Sequence, residues 1–220
     1  MKLSATPTCP LCLAEHSDFF WADRRRDYWQ CDVCRLVFVA AHQHLQAAAE
    51  RAIYDLHENH SDDPGYRRFL ARLAEPVAAR VKPSAQGLDY GCGPGPVLAE
   101  MLRQMGHTLA EYDPFYADDS AVLEQTYDFV TCSEVVEHFR RPDLEFQRLF
   151  GLLKPGGILG VMTKLVKDAQ AFQTWHYKND QTHISFFSPA TLLWLAKQNQ
   201  CQLEFIAADV VIFKAADSRA

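Results

Sequence analysis

The chain has 220 residues, 48% of them hydrophobic and 23% charged, with seven cysteines and a formal net charge of -6. That length allows one full α/β domain plus a small appendage, and the acidic balance argues against a broad nucleic-acid surface. No stretch approaches the ~18 apolar residues of a membrane span, MKLSATPTCPLC lacks the apolar run of a secretion signal, and a cytoplasmic location is the expectation.

In that setting cysteines point to metal binding or free thiols rather than disulfides. Cys9-x-x-Cys12 is followed, after 18 residues, by Cys31-x-x-Cys34. This spacing fits a four-cysteine zinc ribbon, in which four thiolates close the coordination sphere and make the metal structural. DFFWA and YWQC flank the charged turn DRRRD and predict a hairpin, with RLVFV as a third strand. Forty residues cannot build a self-sufficient core, so a metal staple is expected. Arg24, Arg25 and Arg26 invite an RNA-binding reading, but a solvated hairpin tip is the preferred one. Five bases balance five acids over residues 1–40, so the ribbon is not a cationic surface.

Residues 41–82 read as a helical cap. Leu45, Ala48, Ala49, Ala52, Ile53 and Leu56 recur on one helical face. Tyr66, Phe69, Leu70, Leu73, Val77 and Val81 repeat the pattern, with Pro76 placed to kink or split that helix. The polar loop HENHSDDPG lies between the two. Tyr54, His57 and His60 are candidates to face a substrate, or are ordinary surface side chains.

The third region, residues 83–220, opens on LDYGCGPG, an apolar strand end followed by alternating glycines. PVLAEMLRQMGH then has helical spacing with Gly106 as a stop. Glycines permit a sharp turn and a close approach to a ligand, and a helix start offers free N–H groups to an anion. Asp113 follows Gly95 by 18 residues, at the end of a second strand. Only thirteen residues separate Asp113 from Tyr127, too few for a crossover helix, a third strand and their loops. A lost or very short helix is expected there. YDFVTCS is the next strand, with a helix predicted through VVEHF and another over Asp143–Leu153. Lys154–Gly157 ends that helix, and ILGVMT reads as a strand. Ser188–Pro189 caps a helix through TLLWLAKQNQ, and two strands, CQLEFIAAD and VVIFKA, close the chain.

Four ordered motifs, LDYGCGPG, HTLAEYDPF, YDFVTCSEVVEHF and LLKPGGILGVMT, together resemble the class I S-adenosylmethionine-dependent methyltransferases. WHYKNDQTHISFFSPATL is similar to the C-terminal part of small-molecule members. The resemblance implies an α/β fold with a Rossmann-like doubly wound sheet and an antiparallel last strand. It also implies that Asp89, Gly91, Gly93 and Gly95 lie along the methionine portion of the cofactor. Asp113 would take the ribose hydroxyls, Phe115 or Pro114 would pack on adenine, and Asp118 or Asp119 is the candidate for the adenine amine. Ser133 and Glu134 would face the methyl-transfer centre, although Glu134 reads equally as an acid favoured by a helix dipole. Thr131–Glu134 lacks the Asn/Asp-Pro-Pro-aromatic pattern of amino-directed DNA methyltransferases, and Cys132 lacks the preceding proline of cytosine C5 enzymes.

Trp175, His176, Tyr177, Asp180 and His183 form a polar-aromatic cluster after the fifth motif strand, placed to close over the carboxyl ends of the strands. His183 is the candidate to take the acceptor proton or to hydrogen-bond an anionic acceptor, with Tyr177 beside it. The leading expectation is methylation of a small molecule. The alternatives are an RNA or protein substrate with the ribbon as docking module, and a non-catalytic cofactor-binding protein.

Overall fold

The computed structural model describes residues 6–56 and 60–217, so His57 lies outside the described residues. Strands β4 (Gln86–Tyr90), β5 (Thr108–Tyr112), β6 (Tyr127–Ser133) and β7 (Leu153–Met162) run parallel. With β9 (Gln202–Phe205) and β10 (Val210–Lys214) they form one six-stranded sheet in the order β5-β4-β6-β7-β10-β9. β10 is antiparallel to both of its neighbours. β6 and β7 are almost continuously buried, as strands covered on both faces must be.

Helices α2 (Pro64–Ala78) and α3 (Val97–Gln104) cover one face with Leu70, Leu73, Val77, Leu98 and Leu102. A methyl group at Gly160 would stand 2.8 Å from Val77, so the glycine lets α2 lie close on β7. Pro76 does not split α2; it sits in the last turn, and the helix ends two residues later at Ala78. Helix α1 (Ala47–Tyr54) precedes α2, and Asp63 caps α2 through the Gly65 N–H at 2.7 Å. Helices α4 (Pro142–Gly151) and α6 (Pro189–Gln198) pack Phe146, Leu149, Leu192 and Leu195 on the other face. Ser188 and Thr191 form the full reciprocal cap of α6.

The short span after Asp113 holds only a 3-10 turn at Ser120–Glu124, so the sheet has no strand between β5 and β6 in sequence. VVEHF does not become an α-helix either. Val136–His138 is one 3-10 turn, because the chain must reach Pro142 and start α4 within a few residues. Lys154–Gly157 belongs to β7 rather than to a loop before it, with Gly156 at φ +72°.

The N-terminal module folds as β1 (Ser17–Ala22), β2 (Asp27–Cys31) and β3 (Val37–Val39), the expected hairpin plus third strand. It is not detached. β3 pairs with β8 (Ser185–Phe186), so a distant segment supplies the fourth strand of its sheet. Cys9, Cys31, Cys34, Leu36 and Phe38 belong to the same apolar cluster as α4 and α6. Tyr28, Val37 and Val39 pack with Phe172, Tyr177 and Phe186, where α5 (Ala169–Gln173) meets β1. Arg24 and Arg25 are exposed as expected, but Arg26 is buried, contrary to the reading of a solvated tip.

Candidate functional site

The parallel strands end together at Tyr90, Tyr112, Ser133 and Met162, and the site is built on those ends. After β4 the chain turns through Gly91 at φ +78° and Gly93 at φ +64°. Gly91 N–H donates to the Tyr112 carbonyl at 2.7 Å. A Cβ at Gly91 would meet the Val135 side chain at 2.5 Å, so both conformation and space demand glycine there.

Asp113 ties this turn to the end of β5. Its Oδ2 accepts from Gly93 N–H at 3.1 Å, and its Oδ1 accepts from Phe115 and Tyr116 N–H at 2.8 and 3.2 Å. Asp89 is buried at the end of β4 and accepts from Thr131 Oγ1 at 2.8 Å. Burial, first of all, pushes its carboxyl up to about 7.

These groups line one cavity of about 840 Å³. Toward β4 and β5 its lining includes Asp89, Gly91, Gly93, Gly95, Asp113 and Phe115. Beyond β6 it includes Ser133, Glu134, His138, Lys164, Tyr177 and His183, and Tyr54 stands between, its ring 5.8 Å from Phe115 and 5.2 Å from His138. The carboxyl groups of Asp89, Asp113 and Glu134 suit a ligand carrying hydrogen-bonding groups such as hydroxyls, as S-adenosylmethionine does. The volume lies within the range of cofactor and small-molecule sites. Asp118 and Asp119 are exposed and do not line the cavity; Asp119 instead caps the 3-10 turn through Ala121 N–H at 3.0 Å. Among the two described candidates of the helical cap, Tyr54 reaches the cavity and His60 remains exposed outside it.

Glu134 follows β6 with a left-handed backbone, φ +53°, and turns its carboxyl into the protein. Its Oε1 is buried without a hydrogen-bond partner. Burial and then the negative Glu137 beside it raise this carboxyl to about 8. Such strain and such an unpartnered oxygen are costly, and they concentrate where a ligand or a reacting group is handled.

Tyr177 lies flat in the cavity wall, but its hydroxyl is engaged. It donates to Glu137 Oε1 and lies 3.2 Å from Thr163 Oγ1, which itself donates to Glu137 Oε2 at 2.9 Å. Burial and that carboxylate push the phenol well above its ordinary range, which unsuits it as a base. His183 is on a loop, as expected, yet it is buried rather than open. Its Nδ1 donates to the Tyr177 carbonyl at 2.7 Å, leaving Nε2 unprotonated at 3.8 Å from Asp180 Oδ2. Burial and the neighbouring His138 lower it to about 3, so it is a weak base. The geometry suits neither expected role: a weak base does not take the acceptor proton, and an unprotonated Nε2 can accept from a hydroxyl but cannot donate to an anionic group. Trp175 does not line the cavity; it packs behind, against Phe172, Tyr177 and Phe186.

Glu137 and Lys164 had no place in the sequence reading. Glu137 is fully buried behind Tyr177, and Lys164 lies over the Tyr177 ring at 5.2 Å and donates to His176 Nε2 at 3.0 Å. The only sequence signal for Glu137 is its three-residue spacing from Glu134 in EVVEH, which would put the two acids on one face of a helix; the sequence reading did not use it. Donor atoms of Glu137, His138 and His183 lie within 4.8 Å of one another. Thr163 and Tyr177 take both Glu137 oxygens, and two backbone carbonyls take the Nδ1 of His138 and of His183.

The four cysteine sulfurs also lie within 4.8 Å of one another, with Cys9 and Cys34 3.5 Å apart and Cys12 and Cys31 3.3 Å apart. The two pairs have matching backbones. Leu13 N–H bonds the Cys9 carbonyl at 3.0 Å, and Arg35 N–H bonds the Cys31 carbonyl at 3.1 Å. Leu13 and Arg35 are both left-handed, at φ +60° and +61°. Two equivalent loops thus converge four sulfurs on one point, the donor set of a tetrahedral thiolate site.

A family model described as "Methyltransferase domain" matches residues 56–204. The chain is similar to the ubiquinone biosynthesis O-methyltransferase of Xanthomonas axonopodis pv. citri, at 27% identity over 67% of this chain and 73% of that one. It is also similar to the protein of the same name from Xanthomonas campestris pv. campestris, strain B100, at 33% identity over 40% of this chain. There it spans 46% of the relative's length. Among solved structures, an O-methyltransferase family protein from Burkholderia thailandensis shares the fold, with a TM-score of 0.52 and 17% identity, over 77% of this chain and 60% of that one.

Proposed function

The chain belongs to the methyltransferase-domain family and is an S-adenosylmethionine-dependent methyltransferase, and within that activity we propose that it methylates a hydroxyl oxygen of a small molecule. The single observation carrying this reading is the continuous cavity whose two ends differ in chemistry. The glycine turn and Asp113 suit the methionine and ribose portions of the cofactor. The opposite end offers Glu134 and His183 beside the aromatic wall of Tyr177, with Tyr54 between the two ends. The names of the relatives, O-methyltransferases of ubiquinone biosynthesis, support an oxygen nucleophile on a small acceptor. A cytoplasmic setting goes with this reading; no helix among the described residues is long and apolar enough to cross a membrane.

The bound cofactor supplies an activated methyl group for an in-line displacement. The protein's part is to hold the acceptor oxygen in line and to handle its proton. Glu134 is placed for the second task. Its carboxyl stands at the end of β6, lines the cavity, has an unpartnered oxygen, and is raised to about 8. His183, with its Nε2 lone pair free, accepts a hydrogen bond from the acceptor. Lys164 offsets negative charge that develops or persists there.

We infer further that Cys9, Cys12, Cys31 and Cys34 hold one structural zinc ion.

The test is transfer of a labelled methyl group from S-adenosylmethionine to a panel of phenols, catechols and hydroxylated carboxylic acids, with amines and total RNA as further acceptors. A phenol or alcohol should take the label. Glu134→Gln should then lower turnover about 100-fold while S-adenosylhomocysteine binds within a few-fold of wild type. Label passing to RNA or protein alone would overturn the small-molecule reading.

A further inference from the structure

Arg26 comes from the four-cysteine module, yet its guanidinium lies beneath the loop that walls the acceptor end of the cavity. Nη1 donates to the carbonyls of Gln181 and His183, at 3.0 and 2.9 Å. Nη2 donates to those of Lys178 and Asp180, at 2.6 and 2.9 Å. Four N–H groups of one planar fork therefore meet four carbonyls of one six-residue segment. The side chain is 5% exposed and does not line the cavity.

Its own position is fixed from the hairpin. Asp23 Oδ1 accepts from Arg26 N–H at 3.0 Å, and Asp23 N–H closes the turn on the Arg26 carbonyl at 3.0 Å. Tyr28 lies under the guanidinium at 5.4 Å and donates its hydroxyl to Asp23 Oδ2 at 2.8 Å. β3 pairs with β8 just beyond the clamped segment, with Val39 N–H on the Ile184 carbonyl at 2.9 Å. Apart from Arg26, single hydrogen bonds order this backbone: His138 Nδ1 on the Thr182 carbonyl at 3.1 Å, His183 Nδ1 on the Tyr177 carbonyl at 2.7 Å and Thr182 N–H on Asp180 Oδ1 at 2.8 Å, while the His183 N–H bond to the Asp180 carbonyl is long, at 3.4 Å. Among the described residues, no other side chain meets more than one of these carbonyls. The loop carries Tyr177, Asp180 and His183 into the cavity.

We propose that Arg26 is a positioning residue for methyl transfer, through which the N-terminal module holds the acceptor-side loop in its working geometry. The proposal rests on the reading of the 176–183 side of the cavity as the acceptor end. It assigns the module a role inside the enzyme rather than as a docking platform. A guanidinium is required for a geometric reason. Its planar fork presents separate N–H groups to separate carbonyls, whereas a lysine ammonium is one point with three donors and cannot meet four. Desolvated carbonyls left without a donor are costly, so the loop would rearrange toward water.

The test uses the full chain with Arg26→Ala, Arg26→Lys and the exposed control pair Arg24→Ala and Arg25→Ala. Amide hydrogen exchange is read first, with no acceptor present. Both Arg26 variants should raise exchange over residues 178–184 by roughly 100-fold while β4 and β6 keep wild-type protection. S-adenosylhomocysteine should bind both within about twofold, and the controls should behave as wild type. With the acceptor found in the screen, acceptor KM should rise about tenfold while the cofactor KM stays unchanged, a split that simple loss of folded protein does not produce. Unchanged exchange over 178–184, or an Arg26→Lys variant equal to wild type in both exchange and acceptor KM, would overturn the proposal. If Arg26→Ala does not fold, Arg26→Lys decides. A failed acceptor screen leaves the exchange result standing, so the clamp and the acceptor reading fail separately.

Discussion

Asp113 holds two turns with one carboxylate, the same carboxylate proposed to take the ribose hydroxyls. It accepts from three backbone N–H groups, holding the glycine turn and the 114–116 turn at once. Losing it removes the proposed ribose contact and loosens the turn. Asp113→Ala should therefore weaken S-adenosylhomocysteine binding by about 100-fold, on the order of 3 kcal/mol, in a calorimetric titration. Equal binding by mutant and wild type would remove Asp113 from the cofactor site. Glu134 gives a pH signature. Its folded-state carboxyl is raised, so it keeps its proton through the neutral range and becomes a base only as pH rises through about 8. Turnover should climb with pH across that range, and the climb should vanish in Glu134→Gln. The raised value also means that folding favours the protonated form, so this group's effect on stability worsens as pH rises from about 4.5 to 8.

The N-terminal element is the clearest case of local pattern and tertiary setting combining. Cysteine spacing and aromatic runs place the hairpin and its four sulfurs, because both are short-range features. Structural zinc in small modules contributes about 10–16 kcal/mol to folding. Cys31→Ser should reduce bound zinc from one equivalent per chain to well below it, read by elemental analysis. Wild-type protein purified without chelator and free of zinc would refute the site. The mutation's reach is wider than the module, since Cys31, Leu36 and Phe38 share an apolar cluster with α4 and α6. β6 and β7 should keep their exchange protection in Cys31→Ser, while residues 178–186 should lose theirs along with the module.

At the scale of the molecule, the 165–186 segment is held from two sides. β7 and Glu137 fasten it to the α/β domain through Thr163, Tyr177 and the Ile184 N–H, while β3 and Arg26 fasten it to the module. A chain starting at residue 41 would expose Phe172, Ile184 and Phe186, which the module now covers. Such a chain should be markedly more prone to aggregate than the full protein, measured by light scattering at equal concentration, with S-adenosylhomocysteine affinity kept in whatever remains monomeric. Loss of cofactor binding in that monomer would show that the α/β domain does not hold its site alone.

The sequence by itself determined the parts whose cause is local. The LDYGCGPG turn needs positive φ and space that only glycine offers, and Asp113 follows a strand end at a readable distance. Thirteen residues were too few for a full crossover, and the structure indeed holds only a 3-10 turn there. Tertiary structure decided the proposed acceptor end. No periodicity in DRRRD tells Arg26 from Arg24; only the approach of residues 178–183 buries it. The titration of His183 and Glu134 is likewise set by the assembled surroundings: burial strips each charged form of water, His138 adds like charge to His183 from far away in the chain, and Glu137 adds like charge to Glu134 from three residues on. Which side chain can take a proton is therefore a property of the assembled cavity, since the cost of a charge depends on everything packed around it.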